Sequence, residues 1–297
     1  MIIICGPTAV GKTAVAIDLA KKFQCSIISA DSRQCYKELR IGVARPSEEE
    51  LKQAPHYFIA SHSIQDELTV ADFEQYALDQ TARLHREQDH VLLVGGTGLY
   101  IRAFCEGLDE IPEIDPAIRA GIGSSYEKEG LQWLQEQLRK KDPVFYESGE
   151  VQNPQRMMRA LEVMESTGQS IREFQKGNKA SRPFRILKIG LELPREELVK
   201  RIDARVDAMM QAGLTDEVKT LLLYKNHNAL QTVGYAELFD HLEGNCPLDK
   251  AVEQIKIHTR QYAKRQMTWF KKDPDITWFN PYDIRGIHSW LDSRMTK

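Results

Sequence analysis

"IIICGPTAVGKTAVAIDLA" runs from Ile2 to Ala20, and its reading decides how the rest of the chain is understood. Ile2 to Cys5 is wholly apolar and has the length of a buried parallel strand. From Thr13 to Phe23, Val15, Leu19 and Phe23 recur every four residues, as on one face of a helix. Between them Gly6, Gly11, Lys12 and Thr13 fit G-x-x-x-x-G-K-[ST]. That motif between a strand and a helix predicts a phosphate-binding loop. Its glycines let backbone N–H groups converge on phosphate oxygens, and the helix N-terminus adds partial positive charge. The expected diphosphate- or nucleotide-binding set is therefore Gly6, Pro7, Thr8, Ala9, Val10, Gly11, Lys12 and Thr13. Lys12 supplies a full charge, and the Thr13 hydroxyl suits Mg²⁺. The motif does not distinguish a diphosphate from a triphosphate.

Working outward, "SIISAD" (Ser26 to Asp31) reads as a second strand that ends in a carboxylate. "VLLV" (Val91 to Val94) reads as a third, followed by "GGTGLYIRA" (Gly95 to Ala103). A helix starting at the N-cap Thr69 separates them. Strands alternating with helices predict a right-handed parallel α/β layer. Ligands bind such sheets at the carboxyl ends of the strands. Asp31 and Thr97 are thus expected beside the phosphate loop. There Asp31 can serve as a base or hold Mg²⁺ through water; its other reading is a cap on the turn "DSRQCY".

The texture changes at "DEIPEIDP" (109 to 116), an acidic, proline-broken linker. Helical stretches follow at Pro116 to Glu129, Leu131 to Lys140 and Pro154 to Thr167. The last has Asn153 as N-cap, Pro154 at the first position and Gly168 past its end. Strand character returns at Phe184 to Leu193. Leu198, Ile202, Val206, Met210 and Leu214 then line one helix face. A long helix follows at Leu248 to Lys272, and "ITWF" reads as an edge strand. The fold class is α/β, a parallel sheet flanked by helices: a core of 1–112 and 184–297, with an inserted all-helical domain at 113–183.

The chain has 297 residues, 42% hydrophobic and 28% charged, with net charge −3, so nucleic-acid contact requires a local basic surface. Such a surface is expected at Lys256 to Lys272, which holds six Lys/Arg and no acid, with Lys256, Arg260 and Lys264 on one helix face. Arg156 and Arg159 add a second pair. Five cysteines without a Cys-x-x-Cys pair argue against a disulfide framework or zinc site. "MIIIC" is too short for a signal core, and no apolar run has membrane-span length. A cytoplasmic location is the expectation.

"GPTAVGKT", "DSRQCYKELRIGVARP", "VGGTGLYI", "RALEV", "QTVGYAEL" and "TRQYAKRQMTWF" occur in an order that resembles the tRNA dimethylallyltransferases, from Gly6 to Phe270. The chain departs from the family pattern in "IGVARP" where "IGTAKP" is usual, in Tyr57 where "PHH" is usual, and in Ala236 where a lysine is common. The resemblance implies a P-loop kinase-like fold. It also implies transfer of a dimethylallyl group from dimethylallyl diphosphate to N6 of the adenosine 3′ of the anticodon in tRNA, with Mg²⁺. By the same resemblance Asp31 is the base, and Ser32 and Thr97 orient the amine. Arg201 clamps pyrophosphate, its other reading being a solvated surface arginine. Candidate tRNA contacts are Asp31, Ser32, Arg33, Gln34, Thr97, Arg119, Gln155, Arg156, Arg159, Gln231, Tyr235, Arg260 and Lys264, with Tyr36 a further partner for the extruded base. Expected partners are the anticodon stem-loop and the allylic diphosphate, with no membrane and a monomeric enzyme. The competing readings are an isopentenyltransferase acting on free AMP or ADP, a P-loop nucleotide kinase, and a non-catalytic RNA-binding ATPase.

Overall fold

Strand β1 (Ile2–Cys5) is buried along its whole length, as its unbroken apolar run requires. The computed structural model describes residues 1–177 and 179–295. Asn178, Thr296 and Lys297, which fall inside the ranges read from sequence, lie outside the described residues. After β1 come α1 (Lys12–Phe23), β2 (Ser26–Ser29), α2 (Glu48–Leu51), β3 (His56–Tyr57), α3 (Val70–Leu84), β4 (Val91–Gly95) and α4 (Gly98–Glu106). Next are α5 (Pro116–Lys141), α6 (Pro143–Ser148), α7 (Pro154–Thr167) and α8 (Ile171–Phe174). The chain then forms β5 (Leu187–Leu191), α9 (Arg195–Gln211), α10 (Leu214–Thr220), α11 (Tyr235–Leu242), α12 (Leu248–Phe270), β6 (Ile276–Phe279) and α13 (Ile284–Met295).

Two compact units result: Met1–Cys105 with Arg182–Lys297, and Glu106–Ser181. The linker "DEIPEIDP" thus belongs to the second unit, which starts before the expected residue 113.

The first unit holds one six-stranded sheet in the order β3-β2-β4-β1-β5-β6, with every pair parallel. The pleat sends alternate residues to opposite faces. Ile3, Cys5, Ile28 and Leu93 join Phe58, Phe73, Phe104 and Tyr235 in one core. Ile2, Ile4, Ile27 and Leu92 join Val15, Leu19, Ile287 and Leu291 in the other. Helices therefore cover both faces, which explains why these strands carry no polar alternation. β1 and β4 lie side by side, and the chain leaves β1 toward β2 on one side and β4 toward β5 on the other. That is the switch point where open α/β sheets bind ligands.

The second unit has its own core, including Ile122, Leu134, Leu138, Phe145, Met157 and Leu161. Gly130 (φ 76°, ψ −164°) breaks the helical path of α5 between the two stretches read from sequence. α7 starts as expected, with the Asn153 side chain accepting from Arg156 N and Pro154 in the first turn, and ends at Gly168 in the left-handed region.

Candidate active site

The phosphate loop leaves β1 at Gly6, whose φ of 146° favours glycine; a Cβ there would also stand 2.6 Å from Leu191 O. Gly11 is the N-cap of α1 and offers no side-chain cap, so the first amides of that helix are left for a ligand. Lys12 Nζ folds back over the loop and donates to Gly6 O (3.1 Å) and Pro7 O (2.7 Å). Burial lowers its pKa to about 8; Asp31 opposes that shift and Arg205 reinforces it.

Two arginines one turn apart on α9 close over the loop. Arg201 Nη1 lies 3.5 Å from Val10 O and 3.4 Å from the Tyr282 hydroxyl, which itself donates to Glu197. Arg205 Nη1 donates to Thr8 Oγ1 at 3.4 Å. Burial lowers the Arg205 pKa, Asp31 raises it, and the positive charge of Arg201 lowers it further. Among the described residues, no carboxylate forms an ion pair with Lys12, Arg201 or Arg205. Three cations held together without direct neutralisation define a site for a multiply charged anion. Arg205 escaped the sequence reading, although "RIDAR" carries the i, i+4 spacing that puts it beside Arg201.

At the end of β2, Asp31 does cap its turn: Oδ1 accepts from Arg33 N (2.9 Å) and Gln34 N (3.2 Å). Oδ2 accepts no hydrogen bond among the described residues. Thr97, at the end of β4, bonds Ala30 O through its amide (3.2 Å). Its hydroxyl accepts from Ser32 N (3.1 Å) and lies 3.4 Å from Ser32 Oγ. Asp31, Ser32 and Thr97 are thus assembled on the strand ends beside the loop.

Other expected contacts are engaged within the protein. The Gln34 amide donates to Val43 O (3.2 Å) and Ala44 O (3.1 Å), so it fastens a loop and has no free donor for a base. Burial raises the Tyr36 pKa, and the nearby charge of Arg33 opposes that shift. Tyr36 and Tyr235 are buried. The Tyr235 hydroxyl donates to Glu217 Oε1 (2.6 Å), and the same carboxylate accepts from Arg40, Ile41 and Gly42 N–H at 3.2, 2.8 and 3.1 Å. Tyr235 is therefore a support for that loop and offers no face to a base. Gln231 is exposed and donates to Lys225 O (2.7 Å).

On α12, Arg260 grips Asp203 with two bonds (2.9 and 2.7 Å), and Lys256 pairs with Asp207 at 2.6 Å. Asp203 and Asp207 are themselves four apart on α9, so the basic stripe read as an RNA face is a seam between two helices at these positions. Lys264 is exposed. In the second unit, Arg156 pairs with Glu150, Arg159 and Arg119 with Glu162 (3.2 and 3.6 Å), and Gln155 is exposed.

α12 also supplies two residues that sequence reading did not single out. Gln266 bridges Thr8 N (2.8 Å) and Gly96 O (2.9 Å). Tyr262 stands one turn away; its ring is part-exposed, but burial of its hydroxyl end, then the charge of Asp31, pushes its pKa up to about 12. No cluster of three His, Cys, Asp or Glu side chains suited to a metal occurs among the described residues. A cavity of about 700 Å³ lined by Leu78, His85, Phe184 and Arg294 lies at the opposite, amino-terminal end of β1 and contains none of the residues above. Among the described residues, no helix is long and apolar enough to cross a membrane.

A phosphate loop at the switch point of a fully parallel sheet, with cations on one side and a carboxylate on the next strand end, is the arrangement of a P-loop group-transfer enzyme. The profile of the IPP transferase family matches residues 34–273. The tRNA dimethylallyltransferase of Cytophaga hutchinsonii is 42% identical over 295 residues, 99% of this chain and 97% of the relative. The tRNA dimethylallyltransferase 2 of Azobacteroides pseudotrichonymphae is 48% identical, covering 96% and 92%. The tRNA isopentenylpyrophosphate transferase of Bacillus halodurans superposes with a TM-score of 0.73 at 34% identity, covering 99% and 96%. A eukaryotic dimethylallyltransferase acting on tRNA gives a TM-score of 0.78 at 27% identity, covering 96% of this chain and 74% of the other. The chain belongs to the IPP transferase family, the tRNA dimethylallyltransferases, and is a prenyltransferase.

Proposed function

We propose that the chain transfers the dimethylallyl group of dimethylallyl diphosphate to N6 of the adenosine 3′-adjacent to the anticodon in tRNA, releasing pyrophosphate. The observation that carries this reading is the uncompensated trio Lys12, Arg201 and Arg205 over the phosphate loop, with Asp31 on the neighbouring strand end. Those cations and the α1 amides stabilise the charge that grows on the leaving pyrophosphate as the C–O bond breaks. Lys12 exchanges its two carbonyl acceptors for phosphate oxygens.

The exocyclic amine is a weak nucleophile, since its lone pair is delocalised into the ring. It becomes acidic as it bonds to carbon. The free Oδ2 of Asp31 is suited to take that proton, typically worth ~10²–10⁴-fold. Oδ1 holds the carboxylate in place by its two bonds to the turn amides. The Thr97 and Ser32 hydroxyls orient the amine.

The Thr13 hydroxyl is a hard oxygen donor that would hold a Mg²⁺, and without a carboxylate cage the ion would depend on diphosphate and water for its other ligands. When bound, Mg²⁺ supplies further charge neutralisation to the diphosphate.

On the RNA side, Lys264 is exposed for phosphate contact. Arg156 reaches RNA by exchanging its exposed partner Glu150 for a phosphate, at a cost of about 0–1 kcal/mol, whereas Arg119 and Arg159 share the buried Glu162, which loses a partner when either turns to RNA. The enzyme is read as a monomer that acts on tRNA in the cytoplasm. The test is incubation of labelled dimethylallyl diphosphate and Mg²⁺ with either unmodified tRNA or AMP. Label is expected in tRNA alone; label in AMP, or in neither, overturns the proposal.

A further inference from the structure

Gln266 sits on α12 between the exposed Arg265 and the half-buried Met267, yet only 6% of it is exposed. A buried carboxamide must satisfy an acceptor and two donors. Oε1 accepts the Thr8 N–H at 2.8 Å, and Nε2 donates to Gly96 O at 2.9 Å. The Tyr262 hydroxyl lies close to the amide, one turn away on the same helix. A flipped amide would set N–H against N–H at Thr8 and oxygen against oxygen at Gly96, so its orientation is determined. A Cβ at Gly96 would stand well inside contact distance of Nε2, so only glycine admits the bridge as it stands.

The two bridged loops do different work. Thr8 belongs to the phosphate loop, and its hydroxyl takes a bond from Arg205. Gly96 precedes Thr97, which holds Ser32 beside Asp31. One loop follows β1 and the other β4. The leaving group is held on the first and the nucleophile is oriented on the second. Among the described residues, Gln266 is the side chain hydrogen-bonded to the backbone of both.

We propose that Gln266 is a positioning residue for the transfer reaction: its amide fixes the separation between the diphosphate loop and the loop that aligns the attacking amine. It also occupies the Thr8 amide, so that N–H is not offered to the diphosphate. This inference rests on the function proposed above. A misplacement of about 1 Å between reacting groups lowers a rate about 100-fold without abolishing binding.

The test uses Gln266→Leu and Gln266→Glu in the full chain, with prenyl transfer to tRNA and pyrophosphate binding by calorimetry read separately. Gln266→Leu is expected to lower kcat about 100-fold, with KM for tRNA within about threefold of wild type. Gln266→Glu supplies a signature that a merely structural role lacks. A protonated carboxyl reproduces both bonds, accepting from Thr8 N–H and donating to Gly96 O. A carboxylate faces Gly96 O with no proton. The ratio of Gln266→Glu to wild-type kcat is therefore expected to rise at least about tenfold as the pH falls from about 8 to about 5.5.

A ratio that stays flat with pH, or Gln266→Leu keeping kcat within about threefold of wild type, overturns the inference. Wild-type protein that transfers no prenyl group fails the functional proposal instead. In that case Gln266→Leu must still weaken pyrophosphate binding, because the loop loses its anchor, and unchanged binding would overturn the inference independently.

Discussion

Raising the pH through about 8 is expected to discharge Lys12 and loosen the grip on pyrophosphate. The cause is burial: Nζ lies against two carbonyl oxygens and near Arg205, and its pKa falls from 10.5 to about 8 despite the pull of Asp31. That shift corresponds to about 3 kcal/mol held against the charged form. With a pKa of about 8, roughly nine-tenths of the lysine is charged at pH 7 and about one-tenth at pH 9. Pyrophosphate binds the charged form, so its Kd is expected to rise about tenfold for each pH unit above about 8, until the pKa of the liganded state is passed. The stability slope has the opposite sign. A depressed lysine leaves the folded chain with fewer bound protons than the unfolded one between about pH 8 and 10.5. The Lys12 contribution to stability therefore improves as pH rises through that window, while ligand affinity falls. Calorimetry with pyrophosphate from pH 7 to 9.5, on wild type and Lys12→Met, isolates the effect, since the difference profile removes the ligand's own titration. Parallel profiles for the two proteins would refute the argument.

Asp31→Asn keeps the turn cap through its side-chain oxygen but removes the proton acceptor, so single-turnover transfer is expected to fall ~10²–10⁴-fold with tRNA affinity retained in a filter-binding assay. Arg205→Ala is expected to lower kcat/KM for the allylic donor by ~10²–10³-fold in steady-state kinetics; Arg205→Lys should recover little, because a point charge cannot replace the guanidinium fork. Arg260→Ala leaves Asp203 without its two bonds, and thermal melts are expected to register a loss of about 1–3 kcal/mol. Lys264→Ala should leave the melting temperature unchanged and reduce the slope of log K against log salt for tRNA by about 0.7–0.9.

The phosphate loop and the strands around it were legible because their signals are local: a fixed spacing, unbroken apolar runs, and glycines at turns. The Gly130 break in α5 and both ends of α7 were legible for the same reason. β3, two residues at the sheet edge, has no periodicity to find. α13 was not anticipated, though Ile284, Ile287 and Leu291 carry its apolar spacing, because Gly286 interrupts it within the first turn. The candidate site divides along another line. Periodicity tells which residues share a face but not what that face meets. Lys256 and Arg260 do share one, but Asp203 and Asp207 on α9 cover it. Tyr235 and Gln34 were placed near the right loops and given the wrong neighbours, since nothing in one sequence records that Glu217 and the Val43 carbonyl lie opposite them. Gln266 stands inside the quoted "TRQYAKRQMTWF" but carries no role there, because a glutamine amid lysines and arginines reads as solvated until the loops it joins are seen in space.

The carboxylate of Glu217 already sits where three consecutive amides, Arg40 to Gly42, converge. Such a concavity is what a phosphate would otherwise occupy. With a resident anion in the seat, this stretch keeps its shape before any RNA arrives, and an approaching backbone phosphate meets only the outward side chains. The enzyme thus has two anion cradles of similar make: one open to its leaving group, the other sealed from within.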